Sequence, residues 1–159
     1  MKRIGVIGAG RFGSALAEYL VKNDAEVLLL EQDMDIVQRM SSIVPKTIQG
    51  DASDVNALAE LGFHECDAAV VAIGVNMEGS VLATMNLKEL KVPYVVARAV
   101  SDTHGKVLER VGANLVVYPD KERAIRLAKS LLVPSALDSF EIIEGASVVD
   151  IAAPPEFVG

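Results

Sequence analysis

The chain of 159 residues is long enough to bury one sizeable core, and chains of this length usually form a single domain. At 51% hydrophobic, 23% charged and 4% aromatic, the composition is that of an ordinary globular α/β protein and excludes a disordered chain. A formal net charge of −7, with no Lys/Arg block anywhere, excludes a broad electrostatic footprint for nucleic acid.

From the N-terminus onward, strand-like apolar runs alternate with helix-period segments, as they do in right-handed βαβ units on a parallel sheet covered on both faces. Residues 4–7 read as the first strand, and the helix after Gly13 places Ala15, Leu16, Tyr19 and Leu20 on its inner face. "EVLLLE" (26–31) is the second strand, and Asp33 is placed to cap a helix that turns Ile36, Val37 and Met40 inward. "KTIQG" gives a brief third strand, after which Ser53 is the candidate cap of a helix using Val55 and Leu58. "AAVVAIG" (68–74) is apolar on both alternations, as a central strand buried on two faces must be. A helix over 77–90 leads to the strand "YVVARA", and Ser101 caps a helix that stops at Gly112. "NLVVYP" is the sixth strand, and Pro119 opens a last helix through Leu132, with Ala124, Ile125, Ala128, Leu131 and Leu132 on its apolar face.

After Pro134 the character changes: residues 135–159 hold five acids and no Lys or Arg, and "FEIIEGASVVDI" alternates about "EGAS" like an antiparallel hairpin. Such a hairpin has little of its own to pack on, so it is expected to dock on the sheet domain, on a second copy, or on something missing from this piece. The end at "PPEFVG" reads as that of a truncated or separately expressed piece.

The single cysteine, Cys66, makes no internal disulfide, and "MKRIGVIGAGRFG" has no signal-peptide core, which predicts a cytosolic protein. The apolar runs fall short of the roughly 18 to 20 residues that span a bilayer, so membrane association is expected only through a partner.

Gly8, Gly10 and Gly13 form GxGxxG between the first strand and first helix. In that context Gly8 takes the turn, Gly10 lets the backbone approach a pyrophosphate and Gly13 lets helix and strand pack closely. The helix N-terminus then offers free N–H groups to an anion. Glu31, about twenty residues on, is placed to accept from a ribose diol, and its charge repels a 2′-phosphate. NAD(H), ATP or ADP is favoured over NADP(H). Arg11 is placed to reach phosphate oxygens in its own site or across a subunit boundary, and Arg98 at the end of strand five to reach a phosphate. "GDAS" and "AIG" bracket the adenine and ribose, because ligands of open parallel sheets bind outside the carboxyl ends of the strands. The fold class is therefore α/β, a Rossmann-like doubly wound parallel sheet of about six strands with a C-terminal β-hairpin extension.

A hydride-transfer enzyme needs a proton donor and usually a substrate domain. No Tyr has Lys four residues later, His104 starts a helix, and His64 and Cys66 precede the central strand without metal-ligand spacing. The alternatives are a small NAD-dependent oxidoreductase that borrows a partner chain, with a nicotinamide pocket by His104, and a redox-sensing transcriptional regulator, which lacks a basic DNA-reading element.

The segments "IGVIGAGRFGSALAEYL", "EVLLLEQD", "GDASD", "AVVAIG" followed by Asn76, "LKEL" and "VLERVGANLVVYPD" occur in this order. On these, residues 2 to about 134 resemble the nucleotide-binding lobe of RCK or KTN (TrkA-N) domains, cytosolic regulators of Trk- and Ktr-type potassium uptake systems and some potassium channels. The resemblance implies a non-catalytic nucleotide sensor with a site for NAD(H) or ATP/ADP lined by Gly8, Ala9, Gly10, Arg11, Phe12, Gly13, Glu31, Gln32, Asp51, Ala52, Ile73, Gly74, Asn76 and Arg98. It implies homodimers, assembled into tetrameric or octameric rings beneath an integral-membrane potassium transporter or channel subunit, at the inner face of the cell membrane. It makes residues 1–134 the nucleotide-binding domain and 135–159 an acidic extension that starts an absent regulatory lobe. The family often carries Asp where this chain has Glu31, and Glu where it has Asp120.

Overall fold

The computed structural model describes residues 1–133 in full and the backbone of residues 136–143 and 146–151. The chain divides into two compact units, Met1–Tyr118 and Pro119–Gly159.

The first unit is built on six strands: β1 (Arg3–Ile7), β2 (Glu26–Glu31), β3 (Lys46–Gln49), β4 (Ala68–Val71), β5 (Val95–Arg98) and β6 (Leu115–Val117). They pair in the order β3-β2-β1-β4-β5-β6, all parallel. Five helices connect them: α1 (Arg11–Lys22), α2 (Met34–Ser41), α3 (Val55–Glu60), α4 (Met77–Glu89) and α5 (Asp102–Arg110). Strand order reverses between β1 and β4, where Ile7 sits level with Leu30 on one side and Val71 on the other. That reversal opens a crevice at the carboxyl ends of the strands.

The side chains of β2 divide by parity, as strand geometry requires. Val27 and Leu29 join Val6, Ala17 and Met40 under α1 and α2, whereas Leu28 and Leu30 join Ile7, Leu58, Leu87 and Leu108 under α3, α4 and α5. Both faces of β2 and β1 are thus covered, which is why these strands read as unbroken apolar runs. Each fully buried Leu or Val contributes about 1.5–3 kcal/mol relative to exposure.

Helix starts follow the caps with one change. Asp33 accepts from the N–H groups of Asp35 and Ile36, Asn76 from Gly79 and Ser101 from His104. For α3 the cap is Asp54, which accepts from Asn56 and Ala57, and not Ser53. The Ser53 N–H is taken instead by Asp51 Oδ1 at 2.9 Å, which holds that residue in the preceding turn.

Helix α1 is rotated from the expected setting. Gly13 and Ala17 are buried with Leu16 and Leu20 packed beside them, whereas Ala15 and Tyr19 are exposed. Close contact of Gly13 with the β1 turn sets this rotation. The "AAVVAIG" strand is also shorter than expected: it ends at Val71, and residues 72–74 are irregular backbone beyond it.

His104 is fully buried between α4 and α5. Its Nδ1 accepts the Val100 N–H at 3.2 Å, so the ring is neutral with its hydrogen on Nε2, which donates to Ser80 Oγ at 2.7 Å; the Ser80 hydroxyl in turn donates to the Met77 carbonyl at 2.9 Å. Protonation would set Nδ1–H against the Val100 N–H. On the opposite edge of the sheet, Arg3 pairs with Glu26 and Glu65, and Lys46 also pairs with Glu26, which holds the Glu26 carboxyl below its usual range.

In the second unit α6 (Pro119–Leu132) leads to β7 (Ala136–Ile143), which pairs antiparallel with β8 (Ala146–Ile151) as the alternation predicts. The expected inner face of α6 is open: Ile125, Leu131 and Leu132 are exposed, as are Ala124 and Ala128. The side chains of the acidic extension lie outside the described residues. Among the described residues, no helix is long and apolar enough to cross a membrane.

Burial lowers the His104 pKa from its ordinary value. As pH falls the unfolded chain therefore takes up the proton first, so the stability from the neutral ring is complete above the ordinary value and lost as pH falls through the folded-state value. Urea unfolding is expected to show stability falling as pH is lowered from neutral through the ordinary histidine range. His104→Gln is expected to be less stable at neutral pH with a flatter dependence; an unchanged slope in the variant contradicts the assignment.

Candidate functional site

The crevice begins where β1 gives way to α1. Gly8 turns with φ +95°, donates its N–H to the Leu30 carbonyl at 2.8 Å and lies so close to the next strand that a Cβ would sit 3.2 Å from Ile73 N. A Cβ on Gly13 would fall 1.9 Å from the Gly8 carbonyl oxygen, so the first turn of α1 packs directly on the loop. Gly10 differs: nothing lies within 4 Å of its Cβ position, and the residue opens onto the cavity.

Gly10 is also the N-cap of α1, with no side-chain cap, whereas α2, α3, α4 and α5 are all capped by side chains. The N–H groups of the first turn of α1, with the positive end of its dipole, are left for an external acceptor.

Glu31, at the tip of β2, holds the loop from behind. Its Oε2 accepts the Ala9 N–H at 2.7 Å, while Oε1 accepts the N–H groups of Gln32 at 2.8 Å and Asp33 at 3.0 Å. The carboxylate is thus both an edge of the cavity and the strut that orients the glycine turn. Asp51 behaves similarly at the exit of β3: the Ser53 N–H first, then the Ser53 hydroxyl and the Gln32 side chain, hold its carboxyl below the usual range despite partial burial.

These elements enclose a cavity of about 550 Å³, within the roughly 300–1,000 Å³ typical of small-molecule sites. Of the residues singled out in the sequence, Gly8, Gly10, Arg11, Glu31, Gln32, Asp51, Ala52, Ile73, Gly74, Asn76 and Arg98 line it. Ala9, Phe12 and Gly13 do not. Ala9 is buried with its N–H on Glu31, Gly13 faces Gly8, and the Phe12 ring lies 5.9 Å from the Arg98 guanidinium carbon. Gly74 makes room for Arg98, since a Cβ there would lie 2.8 Å from Nη1.

Sequence reasoning missed the apolar and polar sides that α2 and α4 supply: Ile36, Glu78, Gly79 and Leu82; Gly50 and Ser53, at either end of "GDAS", line the cavity as expected. Ile36 reads as core from its period, and the only signal for α4 is that its start, Asn76, follows the strand edge.

His104 does not line the cavity, and both its ring nitrogens are engaged within the fold. Cys66 is buried, and burial pushes its thiol up to about 11. His64 belongs to a 3-10 turn (Phe63–Glu65) ahead of β4, away from the carboxyl edge. Among the described residues no cluster of three or more His, Cys, Asp or Glu is arranged to hold a metal ion.

The pattern of the TrkA-N domain matches residues 4–119. The Ktr system potassium uptake protein C of Bacillus subtilis (strain 168) is 36% identical over 158 residues, covering 99% of this chain and 72% of that protein. Among solved structures, the TrkA-N domain of the inner membrane protein ybaL from Escherichia coli superposes with TM-score 0.73 at 22% identity, covering 82% of this chain and 96% of that one. GsuK, solved bound to ADP, superposes with TM-score 0.67 at 22% identity over 82% of this chain and 34% of that one; the GsuK channel bound to NAD does so with TM-score 0.68 at 17% identity over 90% and 26%. The chain belongs to the TrkA-N domain family.

The contrast between two glycines of the loop is measurable as stability. Gly13→Ala drives a methyl into the Gly8 carbonyl and is expected to cost at least about 1–3 kcal/mol. Gly10→Ala meets only open space and loses at most about 1 kcal/mol from the weaker N-cap. Urea unfolding of both variants checks this, and equal losses contradict the packing described.

Proposed function

We propose that this TrkA-N chain is a nucleotide-sensing regulatory subunit of a potassium uptake system. It binds NAD(H) or ATP/ADP in the cleft and passes occupancy, through subunit packing, to an integral-membrane potassium transporter or channel subunit. The observation that carries the reading is the open Cβ position of Gly10 at an uncapped helix N-terminus, braced by Glu31: a cradle that a single methyl would fill. The potassium uptake role of the Bacillus relative and the ADP and NAD complexes of GsuK support it.

In this reading the pyrophosphate lies against the N–H groups of α1, Glu31 receives the ribose diol, and Asp51 and Ala52 face the base. Ile73, Gly74 and Asn76 form the opposite wall, and Arg98, resting on Phe12 and given room by Gly74, neutralises phosphate charge. The Glu31 carboxylate, already accepting from three backbone N–H groups, keeps its negative charge facing the ribose and so disfavours the 2′-phosphate of NADP(H). The nucleotide is a signal and not a substrate. His104, the acid/base that an oxidoreductase would recruit, is committed to pinning Ser80 to Val100.

We place the chain in the cytoplasm, at the inner face of the membrane through its partner. It acts as a homodimer that builds a tetrameric or octameric ring, with residues 1–134 as the sensor and 135–159 leading toward a regulatory lobe. Arg11, exposed at the rim of the cleft, reaches phosphates across the subunit boundary. A gate shifts only by the difference in affinity between its two states, on the order of 1–3 kcal/mol for typical allostery.

Calorimetry with ATP, ADP, NAD and NADH is expected to show saturable binding that Gly10→Ala weakens by at least about tenfold, with the absorbance of bound NADH unchanged over time. Binding unaffected by Gly10→Ala, or consumption of cofactor, overturns the reading. Arg11→Ala is expected to reduce the nucleotide-dependent change in small-angle scattering more than it reduces affinity; equal losses contradict a role across the boundary.

A further inference from the structure

The peptide joining Ala52 to Ser53, at the base end of the cleft, is held at both of its polar ends. Its N–H donates to Asp51 Oδ1 at 2.9 Å, and its carbonyl accepts from Asn86 Nδ2 at 2.8 Å. The first tie is local to the turn, but the second comes from α4, 34 residues away. Asn86 does not line the cavity, whereas Asp51, Ala52 and Ser53 do. The adjoining peptide, whose N–H belongs to Ala52, makes no hydrogen bond through that N–H among the described residues. A donor (the Ala52 N–H) and an acceptor (Asp51) thus stand side by side on a segment whose orientation is set from behind.

Adenine carries an amino donor where guanine carries a carbonyl acceptor. A backbone segment distinguishes them only while it is prevented from turning, because a peptide free to rotate offers a donor or an acceptor as required. Removing the Asn86 tie leaves the Ala52 carbonyl unsatisfied in a nearly closed environment, since Ala52 is 5% exposed, and the turn must reorganise to satisfy it.

We propose that Asn86, on α4 and outside the cavity, is a positioning residue for base discrimination: by fixing the Ala52 carbonyl it holds the donor–acceptor order of the Asp51–Ala52 segment and so makes the site prefer adenine to guanine nucleotides. The proposal rests on the reading of the cleft as a nucleotide site. Asn86 acts on the base end alone and leaves the phosphate cradle at Gly10 intact.

The test is calorimetric titration of the full chain with ADP and with GDP, for the wild type, Asn86→Ala and Asn86→Asp. Asn86 is half-buried, and the two variants are measured side by side so that the conclusion does not depend on the folding of one. The wild type is expected to prefer ADP. Both variants are expected to lose about 3- to 10-fold in ADP affinity with GDP affinity unchanged or raised, which narrows the ratio. Equal losses for both nucleotides, or an unchanged ratio, overturn the role of Asn86 while the reading of the cleft stands. If the wild type binds neither nucleotide, the reading itself fails and the proposal with it.

Discussion

The structure turns on a single carboxylate. Glu31 stands at the tip of β2 and takes the N–H of Ala9 from the neighbouring β1–α1 loop, joining two strand ends that the sheet ladder no longer holds. Charge-assisted bonds to backbone N–H groups are about twice as strong as neutral ones, so the glycine loop is braced before any ligand arrives. With Ala9 fixed, Gly13 seats on the Gly8 carbonyl, α1 takes its rotation, and its uncapped N-terminus points into the crevice. The orientation that would recognise an anion is therefore a consequence of folding, which spares binding the entropic cost of ordering the loop.

The crevice is charged on both sides. Arg11 and Arg98 line the crevice together with the N-terminus of α1, and Glu31, Asp51 and Glu78 supply negative charge around the rest of the lining. A chain with a net charge of −7 needs such local positive features to hold a polyanion at all. The walls differ in how they are secured: the loop after β1 is braced by Glu31, the turn after β3 by Asp51 and Asn86, and the start of α4 by Asn76 together with the Ser80–His104 pair. The three walls are separately tied and meet at one strand edge.

Much of this was legible in the residues. Alternating apolar runs and helix-period segments prescribe six parallel strands, and GxGxxG with Glu31 marks the crossing point, because only glycine suits the turn at Gly8 and the contact at Gly13. What the residues concealed is tertiary. Asp54 and Ser53 are equally good caps in isolation, and the structure uses Asp54 while both the N–H and the side chain of Ser53 are engaged with Asp51. Tyr19 shares a period with Leu16, yet the contact at Gly13 turns it outward. Ile36 and Leu82 come to the cavity from separate helices whose approach no local pattern encodes, and His104, at a helix start near the strand edge, proves to be a buried pin. The apolar side chains of α6 recur with the period of a core face, yet they are exposed.

The central claim is that the crevice between Gly10, Glu31 and Asp51 is built for an adenosine phosphate. A crystal structure of the chain grown with ADP tests it most directly. The account predicts the diphosphate against the first turn of α1, the ribose hydroxyls within hydrogen-bond distance of Glu31 and the base beside Asp51 and Ala52. A nucleotide bound elsewhere on the molecule, or a crevice closed by the protein's own side chains in the presence of saturating ADP, would contradict it.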